Sequence, residues 1–222
     1  MRAGGMGAVE SAVAAAQEAL GIQQHVTDAV RRGDLARVKQ MVEGGADITE
    51  VDEDGNNALH VACYEGHTEI VRYLLEQPGC SANDRGRIGF QPLHRAVQGG
   101  HLEVARLLLD RRASVAARNN IGVTPLHCAA IWNRPRTMRL LLDKGALPNV
   151  QQSNGQAPLH CAAMHGNDVA VRMLLEASAS LDLKDMEGST PLDLASTQMV
   201  STLLAEAADA REQELRLAVL AE

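Results

Sequence analysis

One phrase recurs along this chain. NALH, QPLH, TPLH, APLH and TPLD place a leucine at 59, 93, 126, 159 and 192, in steps of 34, 33, 33 and 33 residues. Alanine returns in the same register at Ala62, Ala96, Ala129, Ala162 and Ala195, and glycine just upstream at Gly55, Gly89, Gly122, Gly155 and Gly188. Two charged columns, Lys39, Arg72, Arg106, Arg139, Arg172 and Glu43, Glu76, Asp110, Asp143, Glu176, extend the register back into a first copy that starts near His25. Such a period means that each copy is one supersecondary unit, unable to bury its apolar face alone and stable only when stacked on its neighbours.

Each column has a local physical reason. Proline costs no hydrogen bond in the first turn of a helix, so Pro92, Pro125, Pro158 and Pro191 predict helix starts. Gly66, Gly100 and Gly166 predict the end of a short first helix, because glycine accepts the left-handed conformation found there. Leu74-Leu75, Leu108-Leu109, Leu141-Leu142 and Leu174-Leu175 then supply the buried face of a second helix, and the alanine columns let neighbouring helices approach closely. With one Phe, one Trp and two Tyr in 222 residues, the core must be built from such small, repeated side chains.

TPLHCAA at Thr124–Ala130 and EGHTEIVRYLLE at Glu65–Glu76 resemble the ankyrin-repeat family almost residue for residue, and the resemblance runs from about His25 to Ala208. The departures are Asn57 and Gln91 in the Thr slot, Ala58 and Ala157 in the Pro and Thr slots, and Asn133 in place of the inter-helix glycine. The resemblance implies an all-α ankyrin-repeat helical solenoid with β-hairpin-like finger loops. The expected divisions are an Ala-rich N-terminal helix or tail at 1–24 and a repeat domain at 25–208. That domain divides into a degenerate cap repeat (25–51), repeats at 52–85, 86–118, 119–151 and 152–184, and a truncated last repeat (185–208). A C-terminal capping helix or tail follows at 209–222, where Leu204, Ala208, Leu215 and Val219 form a weak stripe. Ala8–Leu20 reads as a frayed or capping helix.

Charge and cysteine usage bound the function. The net charge of −7 disfavours nucleic acid as a nonspecific partner. No run of apolar residues is long enough to span a bilayer and no secretory signal is apparent, so the chain is expected to be monomeric and soluble, intracellular in the cytoplasm or nucleus, with no membrane partner. Cys63, Cys80, Cys128 and Cys161 form no C-x-x-C pair and read as reduced thiols. Cys128 and Cys161 lie one repeat apart, too far for a shared tetrahedral zinc.

Eight histidines invite a catalytic or metal reading, but His60, His94, His127 and His160 fill the last slot of the TPLH turn, and His67 and His101 follow the helix-ending glycine. The family resemblance implies that the TPLH histidine ties one hairpin to the next. With no phosphate loop, dinucleotide fingerprint, H-E-x-x-H or G-x-S-x-G, the sequence predicts no enzyme, no metal and no cofactor. The basic and acidic columns lie four apart on each second helix, as in Arg72 with Glu76 and Arg106 with Asp110, and predict a solvated outer face.

Function should sit where the repeat leaves the residue free. The resemblance implies that these positions are the hairpin tips and the ends of the first helices, which line a concave face. The candidate tip residues are Arg87, Ile88, Phe90, Ile121, Val123 and Met186. The candidate helix residues are Tyr64, Glu65, Ile131, Trp132, Met164 and His165, joined by Arg95 next to the third hairpin. Three of the four aromatics fall in this set, and aromatics, Met and Arg are the residue types enriched at interface hot spots. Between Arg85 and Lys144 there are 11 basic and 3 acidic side chains, so the middle of the chain is basic. The predicted function is a noncatalytic adaptor, scaffold or inhibitor that binds another protein through an acidic segment with apolar anchors. The alternative is a binder of a phosphate-bearing ligand or nucleic acid through the basic central repeats.

Overall fold

A computed structural model describes residues 25–220, which form α-helices, turns and one short 3-10 segment, with no strand among the described residues. Helix pairs repeat along the chain. The first helices are α1 (Val26–Arg31), α3 (Ala58–Glu65), α5 (Pro92–Gly99), α7 (Pro125–Ile131) and α9 (Pro158–Met164). Each is followed by an antiparallel second helix: α2 (Leu35–Glu43), α4 (Thr68–Leu74), α6 (Leu102–Asp110), α8 (Pro135–Asp143) and α10 (Asp168–Glu176). A final helix, α11, spans Gln198–Leu220. First helices stack on first helices and second on second, giving a two-layered all-α solenoid.

The periodic residues do what their chemistry predicts. Pro92, Pro125 and Pro158 open α5, α7 and α9, and Gly66, Gly100 and Gly166 follow the first helices with φ of 82°, 85° and 67°. Asn133 takes the same left-handed turn at φ 48°, a role that Asn tolerates better than other side chains. One member of each leucine pair, Leu74, Leu108, Leu141 and Leu174, is fully buried, and the second is half-buried between layers. Ala62, Ala96, Ala129 and Ala162 are also fully buried, which lets adjacent first helices meet.

Four features differ from the sequence reading. Pro191 opens no helix: residues 191–194 form only a turn, capped by the Asp193 carboxylate accepting from the Thr190 N–H at 2.8 Å and from its hydroxyl at 2.7 Å. Asp193 stands where earlier repeats carry histidine, no further hairpin follows among the described residues, and Leu192 is 40% exposed. Second, α11 runs without a break across the division expected at 208. Val200, Leu203 and Leu204 cover the end of the stack, whereas Ala208 and Val219, placed on the same stripe, are exposed.

Third, the outer-face charges do not pair within a helix as base with acid four residues on. Arg72 turns back to Glu69, while Arg139 with Glu176 (3.0 Å) and Lys144 with Asp110 (4.0 Å) bridge neighbouring repeats. A basic side chain followed by an acid is the weaker order along a helix, and the next repeat offers an alternative at equal reach. All are solvent-exposed and contribute little to stability. Fourth, the basic residues of the middle are not pooled on one face, as described below. Ala8–Leu20 lies outside the described residues. No helix among the described residues is long and apolar enough to cross a membrane.

Candidate functional site

The hairpins are set by the histidines. In His94, His127 and His160, Nδ1 accepts a backbone N–H from the cap residue, Gln91, Thr124 or Ala157, at 3.1–3.2 Å. A backbone N–H can only donate, so the proton sits on Nε2. Nε2–H then donates to the next hairpin, at Val123 O (3.0 Å), Gln156 O (3.1 Å) and Ser189 O (3.2 Å). His60 Nε2 likewise lies 3.0 Å from Phe90 O, while its Nδ1 meets Asn57 Oδ1 at 2.6 Å instead of a backbone N–H. Burial pushes His94 and His127 down to about 4 and lowers His60 and His160, so these rings are neutral struts near pH 7. The second histidine column bonds backward: His101 Nε2 donates to Tyr64 O at 2.9 Å, and in later repeats Arg134 and Asn167 take over that role.

Successive finger tips are also laced together. Arg87, Asn120, Ser153 and Met186 donate their N–H to Gly55, Ile88, Ile121 and Asn154 carbonyls at 2.8–3.0 Å. In three fingers a single side chain staples the tip. Oδ1 of Asp52, Asn119 or Asp185 accepts two tip N–H groups, those of Asp54 and Asn56, Ile121 and Val123, or Glu187 and Ser189. The finger of the third repeat has Gly86 at that position, so its tip lacks the staple. There Ile88 adopts φ 52°, a left-handed conformation that strains a β-branched residue, and its side chain is 54% exposed.

Six of the thirteen sequence-derived candidates converge beside this finger. Tyr64, Glu65, Arg87, Ile88, Phe90 and Arg95 line a cleft of about 450 Å³, together with Arg31, Asp54, Asn56, His60, Val61 and Gln98. Phe90 is half-buried: its ring meets His94 edge-on at 5.3 Å and carries the Arg95 guanidinium 5.0 Å above it. It is thus both wall and packing, not the free anchor expected.

Beyond the cleft, Ile121, Trp132, Met164, His165 and Met186 are exposed at the tips and helix ends of later repeats, with Ile131 half-buried among them. Val123 must be corrected. It is buried, its carbonyl accepts from His94, and its N–H donates to Asn119, so it is a framework residue. A valine after the finger glycine points back into the stack, which its spacing alone does not reveal.

The basic middle also resolves into separate roles. Arg85 donates to Arg118 O (3.3 Å) and Asn120 Oδ1 (2.8 Å), Arg118 to Gln151 O (2.8 Å), and Arg134 to Gln98 O (3.0 Å). These three cations act as cross-repeat struts, leaving Arg87 and Arg95 as the middle-repeat cations at the cleft. Cys63, Cys128 and Cys161 are buried, and burial pushes Cys80, Cys128 and Cys161 up to about 12, far from thiolate reactivity. No cluster of potential metal ligands occurs among the described residues. Sequence reasoning missed Gly86, although the break in an otherwise Asp, Asn or Gln column was legible.

Comparison with known proteins agrees with this architecture. A family model for ankyrin repeats in three copies matches residues 26–119, 89–152 and 126–214. Osteoclast-stimulating factor 1 of Danio rerio is 33% identical over 70 residues, covering 32% of this chain and 33% of that protein. Notch-regulated ankyrin repeat-containing protein of Xenopus tropicalis is 45% identical over 53 residues, 24% of this chain and 46% of the relative. Protein phosphatase 1 regulatory subunit 27 of Mus musculus is 44% identical over 61 residues, covering 27% and 40% respectively. The matched segments thus span less than half of each of these relatives.

Proposed function

The chain belongs to the ankyrin-repeat family, and from that premise we propose that it is a noncatalytic interaction module, an adaptor, scaffold or inhibitor, which binds a protein partner along its concave face and finger tips. It does so as a monomer, in a reducing compartment such as the cytoplasm or nucleus, consistent with its free cysteines. The observation that carries this reading is the exposure of large apolar side chains at positions the repeat does not dictate: Tyr64, Ile88, Ile121, Trp132, Met164 and Met186. Exposed apolar strips of this kind mark binding surfaces on proteins that otherwise cover such groups. One name among the relatives, a protein phosphatase 1 regulatory subunit, fits a regulatory role.

The partner offers acidic and apolar groups, matching Arg87 and Arg95 beside the rings. The phosphate or nucleic-acid alternative loses support, since Arg85, Arg118 and Arg134 are spent on cross-repeat bonds. The test is capture of proteins from extract on the immobilised chain, compared with Trp132→Ala and Arg106→Glu. The captured set should be lost with the first and kept with the second, and should persist at raised salt. Retention by Trp132→Ala together with loss in salt would overturn the reading in favour of the phosphate alternative.

A further inference from the structure

We propose that the cleft between the second and third repeats receives one carboxylate of an extended partner segment on Arg95, and that this segment seats apolar side chains on Ile131 and Trp132 and then on Met164, at steps of about three residues. The proposal deepens the concave-face reading and rests on it.

Arg95 is an anomaly of its column. The equivalent slots in neighbouring first helices hold Val61, Cys128 and Cys161, all short and uncharged, so the repeat does not call for a cation there. Its guanidinium is partly buried over Phe90, donating from Nη1 to Gln98 Oε1 at 3.0 Å and from Nη2 to Asn56 Oδ1 at 2.8 Å. Both acceptors are neutral amides, and the enclosed Nε finds no acceptor. Among the described residues no carboxylate lies within ion-pair distance of Arg95. A cation partly withdrawn from water, hydrogen-bonded to neutral dipoles and reached by the Asp54 and Asp52 carboxylates only at a distance, has no carboxylate in direct contact, and a planar fork is shaped for one.

The surroundings specify one negative charge rather than a run. Arg31, on the rim, is already paired with Asp52 at 3.0 Å and Asp28 at 3.4 Å, and Asp54 and Glu65 line the same cleft. A second acidic residue next to the first would meet those carboxylates. The finger of the third repeat borders the cleft, with Ile88 at φ 52° and exposed.

Spacing follows from the stack. Ile131 and Trp132 end the first helix of the next repeat, and Met164 ends the one after. Stacked helices lie about 8–10 Å apart, and an extended chain advances about 3.3 Å per residue, so one repeat corresponds to about three residues. The recognised pattern is an Asp or Glu followed, in one chain direction, by apolar residues about three and six positions away.

The test is selection of random twelve-residue displayed peptides on the immobilised full chain, followed by fluorescence anisotropy with the synthetic consensus peptide. The expected consensus has a single acid and two apolar residues at that spacing. Its affinity should fall at least tenfold with Arg95→Gln, with Trp132→Ala, and with Asp→Asn in the peptide, the last leaving the protein untouched. Inserting one residue between the acid and the first apolar position should weaken binding similarly. A consensus without an acid, or one indifferent to Asp→Asn but weakened by Trp132→Ala, overturns this proposal and leaves the concave-face reading standing. Peptides indifferent to both protein substitutions overturn both. A selection that enriches nothing overturns the extended-segment proposal and leaves the concave face to a folded partner.

Discussion

Acidification from pH 7 to pH 5 should destabilise this stack through His94 and His127. Both rings are fully buried, use both nitrogens in neutral hydrogen bonds, and are pushed down to about 4 by burial. In the unfolded chain they titrate near 6.5, so between pH 6.5 and 4 the unfolded state binds more protons than the folded one, and stability falls as pH falls. Over the step from pH 7 to 5 the loss is about 2 kcal/mol for each ring and about 4 kcal/mol for the two. That is a large part of the ~5–15 kcal/mol that holds an ordinary domain together. The carboxylates do not confuse the window. Asp47, Asp185 and Asp193 are held below the usual carboxylate value by hydrogen bonds from Thr49, Ser189 and Thr190, and any stability they lend is lost only at lower pH. Urea unfolding at half-unit pH steps measures the slope, and the imidazole proton shifts report each ring directly. A stability that changes by less than about 1 kcal/mol between pH 7 and 5, or rings that titrate near 6.5 in the folded protein, would refute the reasoning.

Leu141→Ala should destabilise by about 2–5 kcal/mol in urea unfolding, because Leu141 is fully buried in the central second-helix layer. Arg112→Gly and Ser178→Gly should each stabilise by about 1 kcal/mol, since both residues sit at positive φ (65° and 62°) where Gly45 and Gly145 stand in sister repeats; unchanged melting would count against the strain. Phe90→Ala should lower stability by about 1–2 kcal/mol through loss of its His94 and Arg95 contacts. Trp132 is 49% exposed at the C-terminal end of α7, so Trp132→Ala should leave thermal unfolding nearly unchanged.

The period, the two-helix unit, three of the four proline starts, the glycine stops and the buried Leu and Ala columns could be read from the sequence alone. These depend on a residue and its neighbours in the same or the next copy, and a repeat writes that register out five times. The recurrence of the histidines was legible for the same reason, and their role as struts was what the family resemblance implied. Tertiary structure alone decided how the irregular residues are used. Arg85, Arg118 and Arg134 read as a basic strip until each is seen to donate to a carbonyl or amide one repeat away, while Arg95, sharing their sign, hydrogen-bonds only neutral amides at the cleft. Val123 and Phe90 occupied free slots in the pattern but are drawn into the stack by the backbone direction at the finger. Leu192 kept its column and lost its burial, because residues 191–194 form a turn and not a first helix. Periodicity specifies which side chains recur; whether a nonrecurring one is strut, filler or free ligand depends on what the adjacent copy places within hydrogen-bond reach.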